Sequence, residues 1–155
     1  MLQLPLIEYQ ARLQLKTEGS QRLLFDPLRR KWVVLQPEEM VRQLLLLYLM
    51  EAKGFNKNRL AVERGLNING LQKRCDILAY DAQMQPFLLV ECKAPQVPVT
   101  QAVFRQIAIY NLPLKVPYLL VSNGPISYCC KMDYEAEDFI FLSELPFYPG
   151  ANLPA

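Results

Sequence analysis

Asp76, Glu91 and Lys93 are the residues of this chain best suited to chemistry: two carboxylates and an amine at the ends of neighbouring apolar stretches. The chain contains no His. That removes Ser-His-Asp and Cys-His dyads, His-ligated zinc and imidazole acid/base catalysis together. Any reaction must run on carboxylates, Lys, Tyr, Cys or a bound cation. Cys75, Cys92, Cys129 and Cys130 lack CxxC spacing, and two are adjacent, which suits neither a zinc site nor a disulfide framework. They read as reduced thiols of a cytoplasmic protein.

Side chains alternate along a strand, so Glu91 and Lys93 at i and i+2 point the same way. If residues 82–85 form a loop and Asp81 pairs with Pro86, antiparallel counting puts Asp76 directly opposite Glu91, with Cβ atoms about 5 Å apart. Facing carboxylates repel unless something neutralises them. Mg²⁺, or Mn²⁺ in its place, would do so, because a hard cation takes one or two carboxylates and fills its shell with water and phosphate. Lys93 beside them could hold or activate a water. The same register sets Arg74 opposite Lys93, tolerable if a phosphate lies there, and makes Lys73 and Arg74 candidate nucleic-acid contacts, with Arg59, Arg64 and Arg29 to Lys31 as further cations. On this reading Asp76→Asn leaves the metal-free protein as stable as wild type or more so. The plain alternative is an ion-paired structural triad.

Gln106 and Tyr110, at i and i+4, share one helix face. Glu39, Arg42 and Gln43 make a similar polar set on an earlier helix, where a surface stripe is the default reading.

These residues need elements to position them. Leu23 to Phe25 and Trp32 to Leu35 flank Asp26-Pro27 as a β-hairpin, after an N-terminal arm over residues 1–21. Pro37, Glu38 and Glu39 open a helix that runs to about Lys53. Strands follow over Leu60 to Ile68, Arg74 to Tyr80 and Pro86 to Lys93, the first two joined by Asn69-Gly70 with Leu71 and Gln72 lengthening the loop. Thr100 caps a helix to about Asn111, and Tyr118 to Val121 and Ser127 to Lys131 read as strands. Residues 146–155 are a Pro-rich tail expected to fray. The order implies one α/β domain over residues 22–145, with a mixed central sheet flanked by helices and an N-terminal β-hairpin. A length of 155 residues agrees with a single domain, and 52% hydrophobic residues suffice for its core. The formal net charge of +2 makes any attraction for nucleic acid a local matter. No apolar run approaches the ~20 residues of a membrane span, and Met1 to Ile7 lack the cationic start of a signal peptide.

With Asp76 and Glu91-x-Lys93 on a hairpin, Glu39 on the preceding helix and Gln106-x-x-x-Tyr110 on the following one, the chain resembles the PD-(D/E)xK nuclease superfamily. More narrowly, Phe25 to Arg29, Pro37 to Glu39, Val41 to Gln43 and Val90 to Pro95 resemble the N-terminal nuclease domain family of type I restriction R subunits, over about residues 22–145. The resemblance implies a restriction-endonuclease-like αβββαβ core and Mg²⁺- or Mn²⁺-dependent hydrolysis of DNA phosphodiesters. It assigns Asp76, Glu91 and the Cys92 carbonyl to the metal, and Lys93 to the attacking water. Gln106 and Tyr110 go to the scissile region, and Glu39 to support of the metal site. Cys75 stands where the superfamily name has Pro, a permissive position. No G-x-x-x-x-G-K-[ST] occurs, so this chain is expected to bind no ATP. Its expected partners are DNA and either a second copy or a separate targeting subunit, with no membrane. The competing function is a non-catalytic nucleic-acid-binding or assembly module of the same fold.

Overall fold

The computed structural model describes residues 1–150, and the side chains of all of these except residues 64–66 and 73. Its strands are β1 (Leu15–Glu18), β2 (Gln21–Asp26), β3 (Lys31–Val34), β4 (Leu60–Ile68), β5 (Leu71–Tyr80), β6 (Pro86–Cys92), β7 (Tyr118–Ser122), β8 (Ser127–Asp133) and β9 (Asp138–Phe141), with helices α1 (Pro37–Ala52) and α2 (Gln101–Asn111). The first three strands form a small antiparallel sheet. The other six form one sheet in sequence order, antiparallel throughout except for the parallel β6–β7 pair that α2 bridges. This is the α/β, mixed-sheet architecture expected of a restriction-endonuclease-like core.

The two helices cover opposite faces. Ile77, Ala79, Leu88, Val90, Cys92 and Leu120 pack with Val41, Leu45 and Leu49 of α1, while Leu78, Leu89, Leu119 and Val121 pack with Phe104 and Ala108 of α2. Neighbouring residues of each strand thus enter different cores, which is why β6 and β7 read as continuous apolar runs. Helix α1 begins with Pro37 at its first turn, where a missing N–H costs nothing. Thr100 caps α2 by accepting from the Val103 N–H at 3.2 Å.

Four sequence expectations change. The hairpin gains a third strand, because β1 pairs with β2 inside the supposed N-terminal arm, and Leu2 and Leu6 of that arm are buried in the α1-side core. Leu71 and Gln72 belong to β5, leaving Asn69-Gly70 as a two-residue turn. Both its residues have positive φ, +51° and +82°, as a type I′ hairpin requires. A further strand, β9, pairs with β8; its short, half-exposed sequence lacks a clean alternation. The described part of the tail is docked: Tyr148 donates its N–H to the Lys53 carbonyl at 2.8 Å and packs edge-on against Phe55, and Lys53 lies over the Phe147 ring. Residues 151–155 lie outside the described residues.

At Gly70 an added Cβ would meet nothing within 4 Å, so a substitution there reports backbone conformation alone. Gly70→Ala should destabilise the protein by about 1 kcal/mol, read as a lower midpoint of urea denaturation at constant slope. An unchanged midpoint would contradict the positive φ.

Candidate active site

The observed β5–β6 pairs run Ile77↔Val90, Leu78↔Leu89 and Ala79↔Leu88, then shift so that Tyr80, not Asp81, meets Pro86. Extended by one step from Ile77↔Val90, the register sets Asp76 against Glu91. The shift at Tyr80 falls at the turn end, but the regular pairing stops at Ile77↔Val90, and Asp76 turns to Arg42 of α1 while Glu91 lines the α2-side hollow, so the two carboxylates do not face each other as a same-face pair.

Asp76 itself sits where the sheet is irregular. Ile77 and Ala79 face α1 and Leu78 faces α2, yet Cys75, which alternation would place with Ile77, joins the α2-side core. Across β4 the pairs Val62↔Ile77 and Arg64↔Cys75 flank Asp76, and the residue facing it, Glu63, has left-handed backbone at φ +43°. A non-glycine residue held there costs of order 1–2 kcal/mol and persists only where its surroundings demand it.

The demand is electrostatic. One guanidinium nitrogen of Arg42 donates to Asp76 Oδ1 at 2.9 Å, and the other to Glu39 Oε2 at 2.6 Å. Arg29, in the β2–β3 turn, pairs with Asp26, with Glu39 and, at 2.8 Å, with Glu63. Glu63 Oε2 is also 3.6 Å from Arg42, and Oε1 is 3.3 Å from Arg74. Asp26 is fully buried and accepts the Leu28 and Arg29 backbone N–H groups, so the turn that carries Arg29 is fixed by the same carboxylate that pairs with it. Burial opposes the charge on Arg42, but the hydrogen bond to Asp76 and the pull of Glu39 outweigh it and raise its pKa. Arg42 Nε is buried with no hydrogen-bond partner among the described residues, so the fork is held entirely by its two terminal nitrogens.

The second oxygen of Asp76, Oδ2, accepts the Cys92 N–H at 2.8 Å. Its carboxylate is thus clamped between α1 and β6, beside the peptide that joins Glu91 to Lys93. Glu91 and Lys93 line a hollow of about 270 Å³ with Gln106, Ile107, Tyr110 and Asn111 of α2. Lys93 lies just past β6, its N–H bonded to the Ser122 carbonyl of the parallel neighbour, at the carboxyl end of the strands where α/β sheets bind ligands. Tyr110 is 70% exposed at the rim. Glu39 lies in the α1-side cluster and lines a separate polar hollow with Arg29, Arg42 and Glu63, joined to Asp76 through Arg42. The Glu38 carboxyl is pushed up by burial and by the charges of Asp76 and Glu63, with Arg42 and Lys93 opposing. The Lys93 charge therefore reaches the α1-side cluster.

Three expectations need correcting. Glu39, Arg42 and Gln43 are buried rather than a surface stripe. The helix is apolar on every side from Leu44 to Met50, which is the signal that its polar residues would be buried too. Asp76 is paired, and its cation comes from α1 rather than from Arg74 or Lys93. Arg29 is tied into carboxylates, and Arg74, though exposed, leans on Glu63, so neither presents a bare cation to a phosphate. The Lys73 side chain lies outside the described residues. Arg42 and Glu63 are the site residues that sequence reasoning missed, and nothing in the sequence marks Glu63.

A hard divalent cation fits the chemistry of this set. Asp76 uses one lone pair on each oxygen and keeps the second, Glu91 and the Cys92 carbonyl add oxygen donors, and carboxylates outnumber guanidinium groups around Arg29 and Arg42. Among the described residues no three His, Cys, Asp or Glu side chains converge as a ready-made metal site, so waters or a phosphate would have to complete the shell. The Cys92 thiol is no donor: burial, then the Asp76 charge, pushes its pKa up, and it remains protonated.

The family described as type I restriction enzyme R protein N terminus matches residues 37–146, and the chain belongs to it. A solved fragment assigned as an HsdR subunit of a type I restriction enzyme from Vibrio vulnificus YJ016 superposes with a TM-score of 0.53 at 22% identity, over 74% of this chain and 24% of that one. The chain thus spans about a quarter of that relative's length. No curated protein matches.

Because Asp76 is held by Arg42, Asp76→Asn should destabilise the metal-free protein, by roughly 1–3 kcal/mol given that Arg42 keeps Glu39. This reverses the expectation drawn from facing carboxylates alone. Urea denaturation in the presence of a chelator decides it, and a variant as stable as wild type would mean that the Arg42–Asp76 pair contributes nothing.

Proposed function

We propose that this domain is a metal-dependent DNA endonuclease, hydrolysing phosphodiester bonds with Asp76 and Glu91 holding Mg²⁺ or Mn²⁺ and Lys93 acting at the attacking water. The observation that carries the reading is the meeting of Glu91, Lys93, Gln106 and Tyr110 in one hollow, adjacent to a clamped Asp76. The Cys92 carbonyl would be a third ligand. When bound, the cation supplies Lewis-acid polarisation of the phosphate and a more acidic water.

The chain's own residues do the rest. Lys93, two residues from Glu91 on the same face, holds a water in the hollow through its amine and offsets the charge that builds on the phosphate. Gln106 and Tyr110, one turn apart on α2, offer an amide and a phenol to the phosphodiester oxygens and orient the scissile bond. Glu39 acts at one remove, by orienting the guanidinium that holds Asp76. Lys73 and Arg74 on β5 are the candidate contacts for flanking phosphates, Arg74 only on giving up its pairing with Glu63. No described helix is long and apolar enough to cross a membrane, and a cytoplasmic setting with DNA and a separate targeting subunit or second copy completes the proposal. ATP-driven movement on DNA is not assigned to this chain.

A second reading has one specific observation behind it: Arg42 already neutralises Asp76, as a binding or assembly module without chemistry would require. The two readings separate on cleavage. Glu91→Ala and Lys93→Ala should each abolish Mn²⁺-dependent nicking of plasmid DNA while the protein stays folded. Wild-type nicking by either purified variant would remove the nuclease assignment, and metal-independent binding of DNA without nicking would favour the module.

Gln106→Ala and Tyr110→Ala should slow turnover about tenfold or more, within the range of lost transition-state contacts. Their melting temperatures should barely move, since both side chains are exposed. Normal turnover with a loss of several degrees would make the pair structural.

A further inference from the structure

We propose that Arg42 is a positioning residue of this site: it fixes the Asp76 carboxylate and, as its resident counter-cation, competes with the divalent ion for it. The inference rests on the metal-dependent reading above and adds a residue and a consequence to it.

Three observations carry it. The Arg42 side chain is only 6% exposed, so its charge is not screened by solvent as a surface arginine's would be. Its fork spans two carboxylates on different elements, Glu39 of α1 and Asp76 of β5, a geometry that an ammonium cannot copy. The Cys92 N–H holds the other Asp76 oxygen, so the carboxylate plane is set from both sides and its remaining lone pairs keep fixed directions. Arg29 and Arg74 are engaged elsewhere, with Asp26, Glu39 and Glu63.

Two effects of removing Arg42 then oppose each other in a recognisable way. Loss of a positive charge beside Asp76 strengthens the pull on any other cation there, because a charge a few ångströms away in a poorly solvated setting is worth a large factor in affinity. Loss of the fork releases the carboxylate from its fixed pose and reduces the rate at saturating cation. A residue that merely supported the fold would weaken binding and turnover together.

The test is calorimetric titration of Mn²⁺ alone into the DNA-free protein as wild type, Arg42→Gln and Arg42→Lys. Circular dichroism checks the fold, and plasmid nicking at saturating Mn²⁺ follows. Arg42→Gln should bind Mn²⁺ roughly tenfold or more tightly than wild type, and nick roughly tenfold or more slowly. Arg42→Lys keeps the charge without the fork, so its affinity should stay near wild type while its nicking falls. Should Arg42→Gln not fold, Arg42→Lys decides alone. Equal or weaker Mn²⁺ binding by folded Arg42→Gln, or wild-type nicking by either folded variant, overturns the proposal and leaves the metal reading standing. Absence of Mn²⁺ binding in wild type and variants alike overturns both.

Discussion

The contact between the Arg42 guanidinium and the carboxylates of Asp76 and Glu39 determines how the rest of the site can exist. A carboxylate buried beside other carboxylates either takes up a proton or finds a cation. Here the cation is built into α1, one turn from the helix start, and it reaches the middle of the sheet because α1 packs flat on that face through Val41, Leu45 and Leu49. A buried ion pair is not in itself a source of stability, since desolvation offsets much of the attraction. Its consequence is geometric: α1, β5 and the β2–β3 turn are satisfied together in the arrangement in which Arg29 bridges Asp26, Glu39 and Glu63 while Arg42 bridges Glu39 and Asp76. The strained Glu63 backbone fits the same logic, because its side chain supplies acceptors to both arginines and to Arg74.

What the sequence made legible is what depends on local periodicity and on counting. Both helices end within a residue or two of where caps and Pro predict, and the β5–β6 register follows from a hairpin loop length, correct from Ile77 to Ala79 but not at Tyr80, nor in the expected same-face meeting of Asp76 and Glu91. The i, i+4 spacing of Gln106 and Tyr110 is enough to put both on the face that looks toward Glu91 and Lys93. The ion network was not legible for a physical reason. Arg29, Arg42, Glu63 and Asp76 are separated by tens of residues, and which cation meets which acid depends on helix-to-sheet docking that no pairwise spacing encodes. The docked tail failed for a related reason: Pro-rich composition argues against a helix or strand, but it is silent on whether Tyr148 and Phe147 find partners in Phe55 and Lys53.

The same facts revise the electrostatic argument for a cation. Facing carboxylates suggest an empty place waiting for a metal, with repulsion stored until it arrives. In the folded chain Asp76 carries no such deficit, because Arg42 meets it, and the negative excess is spread over Asp26, Glu38, Glu39, Glu63 and Asp76. A cation entering beside Glu91 would join a network that is already largely compensated. Its attraction would come from the excess rather than from a pair of bare charges, and weak binding completed by water or phosphate follows from that.

The extent of this network also bears on where the domain begins. The family match starts at Pro37, yet Asp26 and Arg29 lie upstream of it and are as deeply engaged as any residue within it. Glu39 holds Arg29 as well as Arg42, so a chain that began at Pro37 would keep every residue of the Asp76, Glu91, Lys93 set. It would also leave Glu39 and Glu63 without Arg29, and Arg42 would then be the principal cation among too many acids. Its hold on Asp76 would weaken because Glu39 and Glu63 would draw on the same charge. The small β1–β3 sheet is therefore part of the electrostatic unit that positions Asp76, although none of its residues belongs to the chemical set itself.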